Sequence, residues 1–423
     1  MGLAEALHPG LITALQQVAD PDLELYLVGG ALRDALLHRL HRDPWRGLPD
    51  IDLLVQYRDP GVDPASAEPA AHALAQRLLA QHGSGAVRCQ FHHAYGTVEL
   101  EWQGVWIDLA TARHEHYPRP AQNPQVRPGR LEDDLARRDF SVNAMALPLR
   151  DLQEQAVVDP YGGLEDLAAR QLRLLHAHSL RDDPTRALRA ARYAARLGFA
   201  LEPSSLAQLR GTLQSWPWSW KPGDPPDQAP PALSTRLRME LELLLEREPW
   251  AAALNQLQQW GALVLLEQGL QRDATWQRRL RWAARLGLSP LPALLMGAND
   301  PVALAQRLQL PHREQQLLQR SSLLLRQLQK QAAAAALPQT AAAWTEQLET
   351  GADAPQVVKL VLVAASHPQP PWRRPLLRWL LHWRLLVAPV TAKMLLEQGY
   401  RPGPALGAAL KKARAEHLAS EKC

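Results

Sequence analysis

Leu27-Val28-Gly29-Gly30-Ala31-Leu32-Arg33-Asp34 and, further on, Pro49-Asp50-Ile51-Asp52-Leu53-Leu54-Val55 decide how this chain is read. The first run is a strand-like segment that meets a Gly-Gly turn and continues as a helix. Without Cβ atoms the glycines let backbone N–H groups approach a phosphate closely, and the helix N-terminus adds partial positive charge. Arg33, early in the helix, reaches the same anion. Gly-Gly turns join strands to helices in many proteins, so the phosphate reading needs company. The second run supplies it. Alternate residues of a strand share a face, so Asp50 and Asp52 project together while Ile51 turns to the core. Two adjacent carboxylates repel, and Mg²⁺ between them relieves the cost while accepting phosphate oxygens. A solvated strand end carrying Asp-x-Asp would look the same.

Three later constellations extend the pattern. Trp106-Ile107-Asp108-Leu109 places a carboxylate inside another β-like run; a neighbouring strand carrying Asp108 would complete the cluster that metal-assisted phosphoryl transfer needs, with Glu99 the rival for that place. In Arg137-Arg138-Asp139-Phe140-Ser141-Val142-Asn143-Ala144, paired arginines precede an apolar stripe, and Arg138 is the one offered to a nucleotide. In Asp183-Pro184-Thr185-Arg186-Ala187-Leu188-Arg189-Ala190-Ala191-Arg192, Asp before Pro marks a helix start and Gly198 its stop. Asp183, Arg186, Arg189 and Arg192 recur every third residue and form a slowly rotating stripe, with alanines filling the packed side. Asp183 beside Arg186 presents an acceptor and donors together. A carboxylate accepts from the exocyclic amine of C or A while a guanidinium donates to the adjacent ring nitrogen; U and G bring an N–H there instead.

The surroundings set the scale. At 423 residues, 46% hydrophobic and 21% charged, the chain is too long for one ordinary core and too apolar for disorder. Leu25 to Val28, Ile51 to Val55, Thr97 to Glu101 and Val105 to Leu109 read as strands, and Ala70 to Gln81 as a helix, giving an α/β or α+β head. From about Leu164 the pattern is helical almost throughout. Trp216 to Pro231 is too rich in proline for a helix or central strand and reads as a linker or surface insertion; an alanine run meeting Pro338 marks a second break. No apolar run reaches the length of a membrane span, and Met1 to Leu11 lacks the basic lead and continuous apolar core of a leader, so the expectation is a cytoplasmic protein. Cys89 and Cys423 alone exclude a disulfide framework. Net charge is +4, yet arginine outnumbers lysine 40 to 7, a bias that fits nucleotide or nucleic-acid handling and that GC-rich coding DNA also produces.

The ordered set Gly29-Gly30-x-x-Arg33-Asp34, Asp50-x-Asp52, Arg137 to Ala144, Asp159-Pro160-Tyr161-Gly162-Gly163 and Asp183-Pro184-x-Arg186-x-x-Arg189-x-x-Arg192 resembles the class II tRNA nucleotidyltransferase/poly(A) polymerase family. Ser234-Thr235-Arg236-Leu237-Arg238-Met239-Glu240-Leu241 and Pro402-Gly403-Pro404-Ala405-Leu406-Gly407 resemble later signatures of that family. The resemblance implies a polymerase-β-like nucleotidyltransferase head at 1–148 and a helical neck at 149–215 carrying the nucleotide-selecting helix. A Pro/Trp-rich linker or insertion at 216–231, a helical body at 232–335 and a tRNA-binding helical tail at 336–423 would follow.

By the same carry-over, Gly29, Gly30 and Arg33 hold the triphosphate, Asp50 and Asp52 bind Mg²⁺, and Arg138, Arg189 and Arg192 contact the nucleotide. Asp183 and Arg186 then select CTP and ATP. The implied activity is template-independent building or repair of the 3′-terminal CCA of tRNA, with the acceptor arm as partner and pyrophosphate as product. The alternatives are A-only or CC-only addition, poly(A) polymerase, and a catalytically silent RNA-binding protein. Two positions depart from the family: Asp182, where Glu is usual, and Thr235, where Glu is usual. No His-Asp dipeptide occurs, so the resemblance does not extend to the phosphohydrolase domain of some relatives. Thr111 to Arg130 lies where the family has a loop implied in the switch to adding A, shortened in CC-adding enzymes; its presence favours CCA or A addition. His114, His116, His92 and His93 suggest no completed metal site. Arg373, Arg374 and Arg378 are candidates for tRNA phosphates, while Trp379 and Trp383, four residues apart, are core candidates.

Overall fold

Strands buried along consecutive residues at the centre and on alternate residues further out build the head. A computed structural model describes residues 9–19, 22–44, 51–59, 61–63, 66–93, 95–102, 104–152, 156–365 and 370–421. The metal-site expectation at Asp50 lies outside the described residues. The chain divides into two compact units, the first comprising Met1–Lys221, Pro230–Ala232 and Glu248–Ala262, the second Pro222–Ala229, Leu233–Arg247 and Leu263–Cys423.

The first unit opens with α1 (Pro9–Ala19), β1 (Leu23–Val28), α2 (Gly29–His41), β2 (Ile51–Tyr57), α3 (Ala70–His82), β3 (Val87–His92), β4 (Thr97–Trp102) and β5 (Val105–Thr111). In β5, Ile107 and Leu109 are buried while Trp106 and Asp108 are exposed; in β4, Val98, Leu100 and Trp102 alternate with exposed Glu99. The buried side packs under α3, whose Leu74 and Leu78 are fully inside. Each such leucine contributes about 1.5–3 kcal/mol relative to exposure. A ribbon, β6 (Arg113–His116) with β7 (Gln125–Pro128), precedes α4 (Leu131–Ala136) and β8 (Ala146–Pro148). The main sheet runs β3-β4-β5-β2-β1-β8 and is antiparallel throughout except where β2 lies parallel to β5. A parallel neighbour needs a crossover, which α3 and the β3–β4 hairpin provide. The mixed sheet and the helices after it are the fold class expected from the sequence, a polymerase-β-like head followed by helical segments.

Beyond β8 come α5 (Gly163–Ala169), α6 (Ser179–Asp182) and α7 (Arg186–Leu197). Gly198 ends α7 in the left-handed region, φ 69°, with its N–H on the Ala194 carbonyl. The Trp216 to Pro231 stretch contains no α-helix, as its prolines require. Its indoles are nevertheless packed: Trp218 and Trp220 are buried in the first unit, and Trp218 Nε1 donates to the Arg181 carbonyl at 2.9 Å. The reading as a plain linker or surface insertion missed that anchoring.

The second unit is helical. The helix His312–Ala333 ends before Pro338, and the next, Ala341–Leu348, is capped by Thr340, which accepts from the Ala343 N–H at 3.2 Å. Trp344, Trp372, Trp379 and Trp383 share one core with Leu328, Val358 and Leu376. The Trp379/Trp383 pair is therefore core. No helix among the described residues is long and apolar enough to cross a membrane.

Close packing in the head leaves no room for a side chain at Gly163. A Cβ on Gly163 would lie 2.5 Å from the Ser141 carbonyl oxygen and 2.8 Å from Met145 Cγ, both in the core beneath α5. Gly163→Ala is expected to lose about 1–3 kcal/mol of stability, measured as a fall in the urea midpoint at unchanged m-value.

Candidate active site

The β1–α2 turn and the edge of β2 meet at one point. Gly29 has φ +70°, and a Cβ there would fall 2.7 Å from Asp52 Oδ2, so only glycine lets the turn approach the carboxylate. No side-chain hydrogen bond caps α2 at Val28, so no capping side chain meets the backbone N–H groups of its first turn. Register places the acids: Asp52 on β2 pairs with Asp108 on β5, and Asp108 pairs with Glu99 on β4. Asp108 therefore adjoins Asp52, whereas Glu99 stands one strand further out, 3.2 Å from His92 Nε2. Carboxylate oxygens on adjoining strands are hard donors of the kind Mg²⁺ prefers. Among the described residues no three His, Cys, Asp or Glu side chains converge on a metal-sized site.

Next to this edge lies a chain of charged groups built around buried Arg33 and Asp139. Arg33, 2% exposed, donates from Nε to Asp34 at 2.8 Å and from Nη1 to the Asn143 side-chain oxygen at 2.8 Å. The Asn143 amide donates in turn to Asp139 Oδ1 at 3.0 Å, and Asp139 Oδ2 accepts from Arg189 Nε at 2.8 Å. Burial pushes the Asp139 carboxyl upward, but the Arg189 guanidinium, the Asn143 amide and the charge of Arg186 outweigh it and hold the pKa below its ordinary value. Arg138 turns inward: Nη2 pairs with buried Asp134 at 2.8 Å and Nη1 donates to the Asn143 carbonyl at 3.1 Å.

The base-reading pair is also engaged with protein. Asp183 ends α6 and is 4% exposed; its Oδ1 accepts from the Thr185 N–H at 3.1 Å and hydroxyl at 2.6 Å. Arg186 is 6% exposed and donates to the Ser179 hydroxyl at 2.9 Å and the Arg137 carbonyl at 3.1 Å. The Thr185 bonds explain why α7 starts after the Asp-Pro dipeptide rather than at it. The ribbon reaches the same neighbourhood. Glu115 accepts from Arg113 and Arg137, and the Ala121 N–H at the ribbon's far end donates to the Asp182 carbonyl at 3.0 Å.

Thus Gly29, Asp52 and Asp108 form one group, and Arg33, Arg138 and Arg189 join a second through Asn143 and Asp139. The Arg192 guanidinium faces Glu248 at 3.3 Å. Asn143 and Asp139 lay within a quoted motif without an assigned role, although their spacing of four residues was a usable signal. Tyr193, between Arg189 and Arg196 on α7, carried no signal at all.

Asp139→Ala is expected to cost about 2–3 kcal/mol, short of the ~3–5 of a fully buried pair because a third of the Arg189 side chain is exposed. A depressed carboxylate stabilises the fold fully above its unfolded value, 3.8, and loses that contribution as pH falls through the lowered one. The gap between wild type and variant in denaturant midpoint should therefore be wide at neutral pH and narrow in acid.

Residues 25–173 match the family model described as Poly A polymerase head domain. A CC-adding tRNA nucleotidyltransferase of Deinococcus radiodurans is 38% identical over 310 residues, 73% of this chain and 72% of that protein. An A-adding tRNA nucleotidyltransferase of Aquifex aeolicus is 38% identical over 188 residues, 44% of this chain but 20% of that longer protein. A solved CCA-adding enzyme in an apo form superposes with a TM-score of 0.69 at 21% identity, covering 100% of this chain and 95% of that one. The head match, the long Deinococcus alignment and the shared fold agree with the ordered motifs: this chain belongs to the tRNA nucleotidyltransferase/poly(A) polymerase family.

Proposed function

We propose that this chain is a Mg²⁺-dependent tRNA nucleotidyltransferase that builds or repairs the 3′-CCA end without a nucleic-acid template. The observation that carries the chemistry is the register of Asp52 beside Asp108, with Gly29 pressed against Asp52. In the reaction the terminal 3′ hydroxyl of tRNA attacks the α-phosphate of CTP or ATP, a new O–P bond forms, and the bond to pyrophosphate breaks. Asp50, Asp52 and Asp108 would hold Mg²⁺, which when bound neutralises triphosphate charge and favours ionisation of the attacking hydroxyl. Gly29, Gly30 and Arg33 would orient the triphosphate through backbone N–H groups and a guanidinium, while Arg138, Arg189 and Arg192 would contact the nucleotide.

Asp183 and Arg186 would select the base. Each exchanges a protein partner, the Thr185 hydroxyl or the Ser179 hydroxyl, for the Watson–Crick edge of C or A. Of the individual steps, addition of the two cytidylates has the strongest support, because a relative aligned over 73% of this chain and 72% of its own length is a CC-adding enzyme. Addition of the terminal A is a second reading, favoured by the presence of the segment between Thr111 and Arg130, which here folds as the β6–β7 ribbon.

Labelled CTP and ATP, offered separately and together, should be incorporated into tRNA transcripts ending at the discriminator base, at C and at CC. Cytidylate on the first two with nothing on the third identifies a CC-adding enzyme; adenylate on the third extends the activity to CCA; adenylate on the third alone identifies an A-adding enzyme. No incorporation in any arm overturns the proposal.

Asp50→Ala and Asp52→Ala should each remove turnover while leaving tRNA affinity nearly unchanged. Chelation should do the same to the wild type, with Mg²⁺ restoring it. Asp183→Ala should admit UTP and GTP, read as loss of discrimination in kcat/KM.

A further inference from the structure

Tyr193 stands at the centre of three guanidinium groups. The Cζ atoms of Arg33, Arg189 and Arg196 lie 5.2, 5.8 and 5.0 Å from its ring centroid, all within the range of cation–π attraction. The ring is fixed in turn by Phe140, edge-on at 5.8 Å and 85°, and Phe140 is fully buried. Arg33 and Arg189 are also the two ends of the bridge made by Asn143 and Asp139. A polar chain thus joins the two arginines, and a single aromatic ring attracts both. Like charges repel, and guanidiniums drawn to the same ring need compensation; Asp34 supplies it to Arg33 and Asp139 to Arg189. Neither carboxylate spans both arginines, whereas the ring does.

We infer that Tyr193 is a positioning residue that holds Arg33 and Arg189 in mutual register, so that the groups proposed for the triphosphate and for the rest of the nucleotide meet their ligand as one unit. This rests on the functional reading above for the ligand, but the geometry of the ring and its arginines does not. The interaction depends on the π face and not on the hydroxyl, so a phenyl ring should serve and an aliphatic side chain of similar bulk should not. Without the platform each arginine keeps its hydrogen bonds but samples more orientations, and nucleotide affinity falls before the chemical step does.

The test compares full-length wild type, Tyr193→Phe and Tyr193→Leu. CTP affinity is measured by calorimetry without tRNA, KM and kcat by incorporation into tRNA, and folding by thermal unfolding. The expected result is Tyr193→Phe close to wild type and Tyr193→Leu weakened about five- to thirtyfold in Kd and KM, with kcat little changed and the unfolding transition intact. Unaltered CTP affinity in Tyr193→Leu overturns the inference, as does equal weakening in both variants, which would assign the effect to the hydroxyl. If Tyr193→Leu unfolds, Tyr193→Trp decides: retained affinity supports the ring's role and lost affinity overturns it. A wild type that binds CTP but does not extend tRNA sinks the functional reading while the binding comparison still decides this one. A wild type that binds no nucleotide overturns both.

Discussion

A buried carboxylate organises the head. Asp139 is 7% exposed and would be prohibitively placed if alone, since burial disfavours the charged form. It is tolerated because its oxygens are met by the Phe140 N–H and the Asn143 amide on one side and by Arg189 on the other. Those partners come from separate parts of the chain: the turn after α4 and the helix α7. The pair therefore fastens the sheet-bearing half of the first unit to α7, the helix that opens with Arg186. Replacing the ion pair by apolar groups of equal volume would often be neutral for stability alone. What an apolar replacement could not do is orient Asn143 toward Arg33, and the arrangement of the candidate site follows from that orientation.

How much of this was legible in the sequence depends on the range of the interaction. Short β-rich runs bounded by Gly, Pro or polar residues marked β1, β2, β4 and β5 within a few residues, because strand preference and its punctuation are local properties. The β3 strand was missed: Val87–His92 has only Val87 fully buried, so its pattern is too weak to read. β8 and the ribbon strands are three and four residues long, and nothing local distinguishes them from loop. Asp108 was weighed against Glu99 from sequence with no means of deciding which stood nearer Asp52, since both lie on alternating strands. Register between strands is a tertiary quantity, and it sets Asp108 alongside. The arginines were easy to see and their partners were not. Arg192 looked like its neighbours three and six residues back, and only the fold reveals that Glu248 claims it.

The Trp216 to Pro231 stretch shows the same division of labour. Proline fixes φ and removes a donor, which excludes a regular helix wherever it clusters, and that local inference holds. It carries no information about burial. Trp218 and Trp220 go inside because indole rings are large apolar surfaces, and each needs somewhere to place its one donor; Trp218 finds the Arg181 carbonyl. Three tryptophans in five residues were a signal of packing that the proline count overshadowed.

The state of Asp183 and Arg186 bears on how a protein could read a base at all. Both side chains are buried and both already have protein partners, so no base meets a bare charge waiting for it. On the proposed reading, a matching edge replaces each lost bond in kind: the carboxylate trades a hydroxyl for an exocyclic amine, and the guanidinium trades a hydroxyl for a ring nitrogen. The exchange is close to neutral for the correct base. A base that brings an N–H to the guanidinium leaves two donors facing each other, and an unmatched buried polar group costs about 1–3 kcal/mol. Two such mismatches amount to roughly two to six kcal/mol, about 30-fold to on the order of 10⁴-fold in discrimination. Selection by this pair would thus arise less from attraction to C or A than from the protein partners that a wrong base cannot replace.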